Sequence, residues 1–331
     1  MYYKSVPPVS ELIGNSSQRR VDFDVRNMNT RSAITLVTAL LVVSSAVMAS
    51  PPDTKKPAED LSVVGADFMK GSEAILDGDY KTAFDLLSRG ATKRHAPSQA
   101  ALGFLFFNGW GCEKDRQKAR SLYEESAKAG AHQGLNNLAH LYRYGLAGVD
   151  KDAPKAVQLL ERSAKLGNEK AAYTLADLYR SNELGPADLA KCIEWLEFGA
   201  GRNYAACLSD LGFAYQHGIG VQKDIRKAAD LFQRDVDAGS AQAASNLGYI
   251  YLQGKGVKQD YPKALKLFEA SVEADNVAGL INLAVMRYKG LGCERDPKTA
   301  FSLLGRASDL GSGQAKQLLK DWKAQEANQN K

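Results

Sequence analysis

The groups most capable of chemistry in this sequence are closely spaced glycines and four histidines. Gly218-Ile219-Gly220 and Gly254-Lys255-Gly256 could each begin a phosphate-binding loop, but neither has the third glycine or the Lys-Ser/Thr ending that such a loop needs. The histidines are scattered along the chain: His95, His132, His140 and His217. The sequence contains no His-Glu-x-x-His and no Cys-x-x-Cys, so we predict no metal site and no cofactor.

No serine is placed for nucleophilic catalysis. The sequence has neither a Gly-x-Ser-x-Gly elbow nor a Ser-x-x-Lys pair, which would join a nucleophile to its base. The formal net charge is +5, and the basic residues are spread along the chain with no dense block. We therefore predict that the protein is not an enzyme and does not bind nucleic acid.

The glycine pairs are part of an internal repeat. A Leu-Gly or Leu-Ala pair recurs at spacings of 36 or 37 residues: Leu102-Gly103, Leu138-Ala139, Leu175-Ala176, Leu211-Gly212, Leu247-Gly248 and Leu283-Ala284. We number these copies repeat 1 to repeat 6 in chain order. A period in this range predicts stacked helical hairpins, because each unit can bury its apolar face only against its neighbours.

Each repeat predicts two helices joined by a tight turn. In helix A an aromatic residue follows the leucine by four positions, except for Arg287 in repeat 6, and the small residue beside the leucine lets a second helix approach closely. Paired glycines then predict the turn between the helices. Repeat 3 lacks these glycines, so the sequence does not predict the form of its turn. An Asp such as Asp260 is placed to cap helix B, which ends at Gly, Asn203 or Asp275.

This pattern, typified by LGxxYxxGxGVxxDxxKAxxxFxxAxxxG, resembles the Sel1-like repeat, a relative of the tetratricopeptide repeat. The resemblance implies an all-α fold, an α/α solenoid (right-handed superhelix) of about six to seven helix-turn-helix repeats with a C-terminal capping helix. It also implies a non-catalytic scaffold that holds protein complexes together, including in bacterial envelope and signalling systems. The alternative is a secreted enzyme, since certain cysteine-rich relatives carry a β-lactamase label, although their regular cysteine pairs are absent here.

The limits of the pattern suggest the domain organisation. Residues 50–60 are predicted as a flexible linker, residues 61–96 as a degenerate N-terminal repeat and residues 97–311 as the six Sel1-like repeats. Residues 312–331 are predicted as a capping helix, from Gln314 to about Lys323, followed by a disordered polar tail from Ala324.

Residues 1–49 are predicted as an N-terminal extension and a signal peptide. Arg31 precedes an uncharged, mostly apolar stretch from Ala33 to Ala49 that ends in small residues, which is the layout of a secretory signal. Met28 is a candidate translation start, so the signal peptide would span about residues 28–49 and the protein would be periplasmic or secreted. If the signal stays uncleaved, it would instead anchor the protein to the membrane.

The four cysteines stand where other repeats have valine or a small residue, as small buried hydrophobic residues would. Cys112 and Cys293 occupy equivalent positions five repeats apart and are too distant to meet. Cys192 and Cys207 lie on adjacent helices and are the one candidate disulfide, which the sequence leaves open.

The face of helix A that turns away from helix B is the predicted binding surface. By analogy with tetratricopeptide arrays, residues two before, two after and five after each leucine line a concave groove, and we call this surface the A-face. Its predicted partner-binding residues are Phe104, Phe107, Asn136, His140, Arg143, Tyr173, Asp177, Arg180, Phe213, Gln216, Tyr249, Leu252 and Tyr288. Aromatic residues beside arginine are typical of interface hot spots.

We expect a monomer that binds a protein or peptide partner through the A-face. Two alternatives stay open. Phe213, Tyr249 and Tyr288 could pack between neighbouring repeats, and the positively charged or polar residues of the middle repeats could be ordinary solvated surface.

Overall fold

The computed structural model describes Ala58–Gln329. The predicted signal peptide, the candidate start at Met28 and most of the predicted linker lie outside these residues, and the first helix begins at Ala58, within the predicted linker. The described chain contains fifteen α-helices, a short 3-10 helix at Asn182–Leu184 and no strand.

The helices follow the repeat pattern in chain order. They are α1 (Ala58–Asp77), α2 (Tyr80–Thr92), α3 (Ala96–Asn108), α4 (Arg116–Lys128), α5 (His132–Tyr144), α6 (Ala153–Lys165), α7 (Glu169–Arg180), α8 (Leu189–Ala200), α9 (Ala205–His217), α10 (Ile225–Asp237), α11 (Ala241–Gln253), α12 (Tyr261–Glu273), α13 (Val277–Lys289), α14 (Pro297–Asp309) and α15 (Gly313–Gln329). Helices A of repeats 1 to 6 are the odd-numbered helices from α3 to α13, and helices B are the even-numbered ones from α4 to α14.

The chain forms two compact units that divide within α4. Unit 1 ends at Ala119 and unit 2 begins at Arg120. In unit 1, α1 packs against α2, and α2 packs against α3. In unit 2, helices A and B of repeats 2 to 6 pack in pairs, and each of their helices B also packs against the helix that follows it. The predicted all-α solenoid is therefore confirmed.

The paired glycines form the turn between helix A and helix B. Both have positive φ, for example 65° at Gly254 and 79° at Gly256, a conformation that strains any residue with a Cβ. The second glycine also touches the preceding repeat, because a Cβ on Gly256 would lie 2.5 Å from the Cβ of Ile225. This position therefore needs glycine both for its backbone angle and for the stacking of repeats.

An aspartate caps the start of each helix B, as predicted for every repeat except repeat 3, whose cap was not predicted. The carboxylate of Asp260 accepts a hydrogen bond from the Lys263 backbone N–H at 2.9 Å. The same cap recurs at Asp115, Asp152, Asp188, Asp224 and Asp296. At the other end of helix B, Asn203 and Asp275 have φ values of 60° and 53°, the left-handed conformation predicted where the glycine is missing.

The aromatic residue of helix A supports the first turn of helix B. Lys263 Nζ lies 4.2 Å from the ring centre of Tyr251 and donates a hydrogen bond to its hydroxyl at 2.7 Å. The same cation–π contact recurs as Lys118–Phe106, Lys155–Tyr142, Lys191–Tyr179 and Lys227–Tyr215. Repeat 6 has neither partner, and its Arg287 pairs instead with Glu269 at 2.8 Å.

The small residue beside the recurrent leucine of repeats 2 to 6 is matched in volume to a buried residue of helix B. A Cβ on Gly248 would lie 2.8 Å from the ring of Phe268, and one on Gly212 would lie 2.7 Å from the ring of Phe232. Where the small residue is Ala, the equivalent helix B position carries Leu: Ala139 with Leu160, Ala176 with Leu196, and Ala284 with Leu304. A glycine therefore accompanies the larger ring, as close packing at constant volume requires.

Helix α15 takes the place of a seventh helix A and closes unit 2. Leu319 stands at the leucine position, but Lys320 replaces the small residue and Lys323 the aromatic residue. A further helix B would have to pack against these two charged side chains. The helix can thus cover repeat 6 on one face while its other face stays polar, as a terminal repeat requires.

The predicted disordered tail from Ala324 is wrong as far as Gln329, because α15 continues through it. Two contacts fix this extension. Glu326 accepts hydrogen bonds from the Tyr288 hydroxyl at 3.0 Å and from Arg295. Alanine, glutamine and glutamate also have a high intrinsic helix propensity, so few tertiary contacts are needed to keep the final turns helical.

The four cysteines are free thiols in the structure, so the candidate disulfide between Cys192 and Cys207 is not formed. Both side chains are buried, and burial raises the pKa of Cys192 to about 11 and that of Cys207 to about 12. They are consequently protonated and serve as small apolar residues of the core.

Candidate partner-binding surface

Phe104 and Phe107 are the predicted A-face residues of unit 1, and both are half-buried. Phe104 meets Trp110 edge to face, with ring centres 5.3 Å apart, and Trp110 stacks on Tyr80 at 4.6 Å. The guanidinium of Arg116 lies 5.4 Å from the ring centre of Phe107. These contacts assemble the aromatic residues around the first glycine turn.

In unit 2, ion pairs join the A-faces of repeats 2, 3 and 4. Arg143 Nη2 on α5 donates to Asp177 Oδ2 on α7 at 2.6 Å and to Glu183 Oε1 at 2.7 Å. Arg180 on α7 donates through Nε to Asp177 Oδ1 at 3.2 Å and through Nη1 to Asp210 Oδ2 on α9 at 2.6 Å. We call these five residues the ion network. It links three successive helices A through charges of alternating sign.

Arg143 is the anchor of the ion network. Its side chain is only 10% exposed. Burial opposes its charge, but hydrogen bonds from its guanidinium to Glu183 and Asp177 outweigh this and raise the pKa of Arg143 above its ordinary value. Since Glu183 lies in the 3-10 helix that replaces the glycine turn of repeat 3, Arg143 also holds that irregular turn in place.

Aromatic rings flank the ion network. The rings of His140 and Tyr144 lie 4.8 Å apart, and the Arg143 guanidinium is 5.2 Å from the centre of the half-exposed Tyr144 ring. Solvent reaches His140, yet the surrounding side chains desolvate its ring. This desolvation, with the positive charges of Arg143 and Lys170, lowers the pKa of His140 to about 4, so the ring is neutral near pH 7.

On the other side of the network, the rings of Tyr173 and Tyr204 lie 6.2 Å apart, and Tyr173 also contacts Arg180. Phe213 on α9 is 39% exposed and lies 4.1 Å from the ring of His217. Asn136 and Gln216 are half-buried. Phe213 is the most exposed large apolar side chain that the structure places on the predicted A-face.

The remaining predicted residues, in repeats 5 and 6, are largely covered. Leu252 is buried in the C-terminal core, and Tyr249 packs against the same core. Tyr288 stacks on Trp322 of α15, with ring centres 4.1 Å apart and planes 8° from parallel. The structure therefore brings these three side chains into the packing between neighbouring helices.

The sequence reasoning missed three residues of this surface. Glu183 lies in the irregular turn, Asp210 is one residue before the recurrent leucine, and Tyr144 is six after it, so none occupies an assumed A-face position. The sequence contains one indication that Asp210 belongs to this surface. Asp210 is the only acidic residue at its repeat position, which stacking sets beside the Arg180 of the preceding repeat.

These features define an all-α repeat solenoid whose unit 2 carries an ion network bordered by exposed rings. A family model for the Sel1 repeat matches six segments: residues 96–130, 132–168, 170–204, 205–239, 241–276 and 277–312. Together the matches cover more than half of the chain, so the chain belongs to the Sel1-repeat family.

Two solved structures share this fold. One is c5321, a protective antigen present in uropathogenic Escherichia coli strains, with a TM-score of 0.69 and 24% identity over 79% of this chain and 57% of that chain. The other is a Sel1 repeat protein from Oxalobacter formigenes, with a TM-score of 0.61 and 24% identity over 73% of this chain and 99% of that one. The chain thus spans little more than half of the E. coli antigen, and at this identity the likeness shows the fold alone. A search of curated proteins found no significant match.

Among the described residues, no helix combines the length and apolar character needed to cross a membrane. The same part of the chain contains no group of three or more His, Cys, Asp or Glu side chains that could hold a metal ion.

Proposed function

We propose that the protein is an exported, non-catalytic scaffold of the bacterial envelope that holds a protein or peptide partner against the A-face of unit 2. The Sel1-repeat fold commonly mediates protein–protein binding. One observation on this chain carries the proposal: Phe213 remains 39% exposed beside an ion network that fixes the helices around it. An exposed aromatic ring on a rigid surface is typical of a binding hot spot.

The ion network supports this role by positioning, and the rings make the contacts. Arg143 and Arg180 already pair with carboxylates of their own and neighbouring repeats, so a partner would gain little by competing for them. Fixed helices lose little conformational freedom on binding, which favours affinity. We therefore assign the contacts to His140, Tyr173 and Phe213, and the arginines to the support of that surface.

Site-specific photo-crosslinking tests the A-face proposal. A photoreactive phenylalanine analogue is placed at Phe213 or His140 in cells, and matched probes are placed at Leu166 and Leu310. These two leucines are exposed to a similar degree but follow helices B, away from the A-face. We expect a discrete crosslinked product from the first pair alone. Equal products from both pairs, or none from Phe213 and His140, would refute the proposal.

Export and the lack of catalysis are tested separately. The signal-like segment from Ala33 to Ala49 supports export, and mass spectrometry of the protein from the envelope fraction should show an N-terminus close to Ser50. A precursor peptide from residues 1–27 would refute Met28 as the start. The purified protein should leave a chromogenic β-lactam intact, and hydrolysis above a buffer control would reverse the non-catalytic assignment.

A further inference from the structure

Away from the A-face, the same kind of surface depression occurs twice in unit 2. One, of about 740 Å³, lies between α10, α12 and the turn before α12, and the other, of about 440 Å³, lies between α6, α8 and the turn before α8. The two are equivalent in the repeat. Arg226, Ala229, Asp230, Gln233, Tyr251, Gly256, Lys258 and Lys263 of the first correspond to Pro154, Val157, Gln158, Glu161, Tyr179, Leu184, Pro186 and Lys191 of the second.

The two depressions differ in charge. Three cations, Arg226, Lys258 and Lys263, line the larger one against the single carboxylate of Asp230. At the equivalent positions the smaller one has Lys191 and Glu161, which balance each other. The smaller depression is also lined by Asp188, the cap of α8, whereas the equivalent cap Asp260 is not among the residues that line the larger one. The larger depression therefore carries a net positive charge, and the equivalent smaller depression shows that the repeat can form without that charge.

Arg226 and Lys258, the two cations that have no basic equivalent in the smaller depression, are not needed for the packing of repeats. The positions equivalent to Arg226 carry Gln117, Pro154, Ala190, Pro262 and Lys298, and those equivalent to Lys258 carry Glu113, Asp150, Pro186, Gln222 and Glu294. Lys258 is the one basic residue at its repeat position, where three other copies are acidic. A side chain that the fold does not demand, and that reverses the usual charge, is available for recognition.

The geometry presents these cations to solvent. Arg226, Lys258 and Lys263 are all exposed. Arg226 Nε donates to the carbonyl of Gly256 at 3.2 Å, and among the described residues its two terminal nitrogens have no hydrogen-bond partner. Lys263 is held over the ring of Tyr251. The guanidinium is thus anchored at one nitrogen while its fork can still pair with a carboxylate.

We propose that this depression, between repeats 4 and 5, binds an acidic segment of a partner protein, whose carboxylates pair with Arg226 and Lys258. The depression is concave and includes the ring of Tyr251 and the side chain of Val257, so it suits a chain that carries both carboxylates and apolar groups. A flat lipid surface would not enter it. This second contact is independent of the A-face, so a partner held at both places would gain avidity.

Fluorescence anisotropy of a labelled peptide of alternating Glu and Ala, added to the purified protein, tests the proposal. Matched peptides carry Gln or Lys in place of Glu. The variant Arg226→Ala/Lys258→Gln installs the residues found at the equivalent Ala190 and Gln222. It should lose about tenfold in affinity, equivalent to about 1.4 kcal/mol. Binding by the original protein should also weaken as salt rises, because exposed charges are screened.

A control variant separates a local effect from net charge. Lys316→Gln/Lys320→Gln removes two exposed charges from α15 and should bind the Glu peptide as the original protein does. If Arg226→Ala/Lys258→Gln has a lower melting temperature than the original protein, the single variant Lys258→Gln replaces it in the binding test. The Lys258 side chain makes no hydrogen bond or ion pair within the described residues, so its substitution should leave the fold intact.

Three results would overturn the proposal. The first is equal affinity for the Glu and Gln peptides, and the second is equal loss in the α15 control. The third is preference for anionic vesicles or a single-stranded oligonucleotide over the Glu peptide, with the same dependence on Arg226 and Lys258. Loss of A-face crosslinking would leave this test unaffected, so the two proposals can fail separately.

Discussion

The matched pair of Gly248 and Phe268 offers a quantitative test of how the repeats pack. In Gly248→Ala the new methyl group would lie 2.8 to 3.1 Å from three ring atoms of Phe268, which is fully buried. Overpacking of this kind costs about 1–3 kcal/mol. The better helix propensity of alanine returns about 0.5–1 kcal/mol. We therefore expect the free energy of unfolding to fall by about 1 kcal/mol, within a range of about 0–2.5 kcal/mol.

Gly305→Ala is the matched control. Gly305 lies inside α14 and has no heavy atom within 4 Å of the position that a Cβ would take, so this substitution gains helix propensity without a clash. We expect it to stabilise by about 0.5–1 kcal/mol. Guanidinium titration followed by circular dichroism measures both variants, and hydrogen exchange of the α11 and α12 amides shows whether the loss is local, as a repeat array allows.

Phe268→Leu completes a double-mutant cycle with Gly248→Ala. Alone it leaves a small cavity and should cost about 1 kcal/mol. Combined with Gly248→Ala it reproduces the Ala284 and Leu304 pair of repeat 6, so the double variant should unfold within about 0.5 kcal/mol of the original protein. If the two losses simply add, the volume-matching explanation is wrong.

Three further substitutions test other parts of the structure. Asp235 is fully buried where equivalent positions carry Ser163 and Ser271, and burial raises its pKa. The contribution of Asp235 to the free energy of unfolding should therefore be largest below the ordinary pKa of Asp and fall as pH rises through the raised value. Asp235→Ser should remove this contribution and add about 1–3 kcal/mol at neutral pH, measured by denaturant titration of both proteins at several pH values. Arg143→Ala should cost about 1–3 kcal/mol by leaving Glu183 unpaired and removing one of the two partners of Asp177, and hydrogen exchange should rise in the turn of repeat 3; an unchanged turn would refute its anchoring role. Trp322→Ala should release α15 at a cost of about 3–5 kcal/mol, seen as faster exchange in α15 while the earlier repeats of unit 2 stay protected; uniform exchange across unit 2 would contradict a local cap.

The repeat made most of the fold predictable from the sequence. The aspartate caps, the glycine turns and the left-handed Asn203 and Asp275 depend on residues within a few positions of each other, and six copies of the same spacing confirmed the register. The limits appeared where the copies differ. The predicted tail was wrong as far as Gln329, because α15 is extended by contacts of Glu326 with side chains more than thirty residues away.

The surface depended far more on tertiary structure. The positions assumed for the A-face selected Arg143, Arg180 and Phe213, but could not show that the two arginines are paired while Phe213 stays exposed. The charged depression was also hidden, since Arg226 and Lys258 are dispersed in the sequence and meet only when two repeats stack.

The sequence by itself determined that this chain builds stacked helical hairpins and where most of their caps and turns lie. It did so because helix formation, capping and turns are governed by near neighbours, and the repeat presents the same neighbours six times. Only the tertiary structure decided which charges on the stacked helices neutralise each other and which remain for a partner. Electrostatic pairing depends on distances between side chains that lie about one repeat apart in sequence, and those distances exist only after the hairpins have packed.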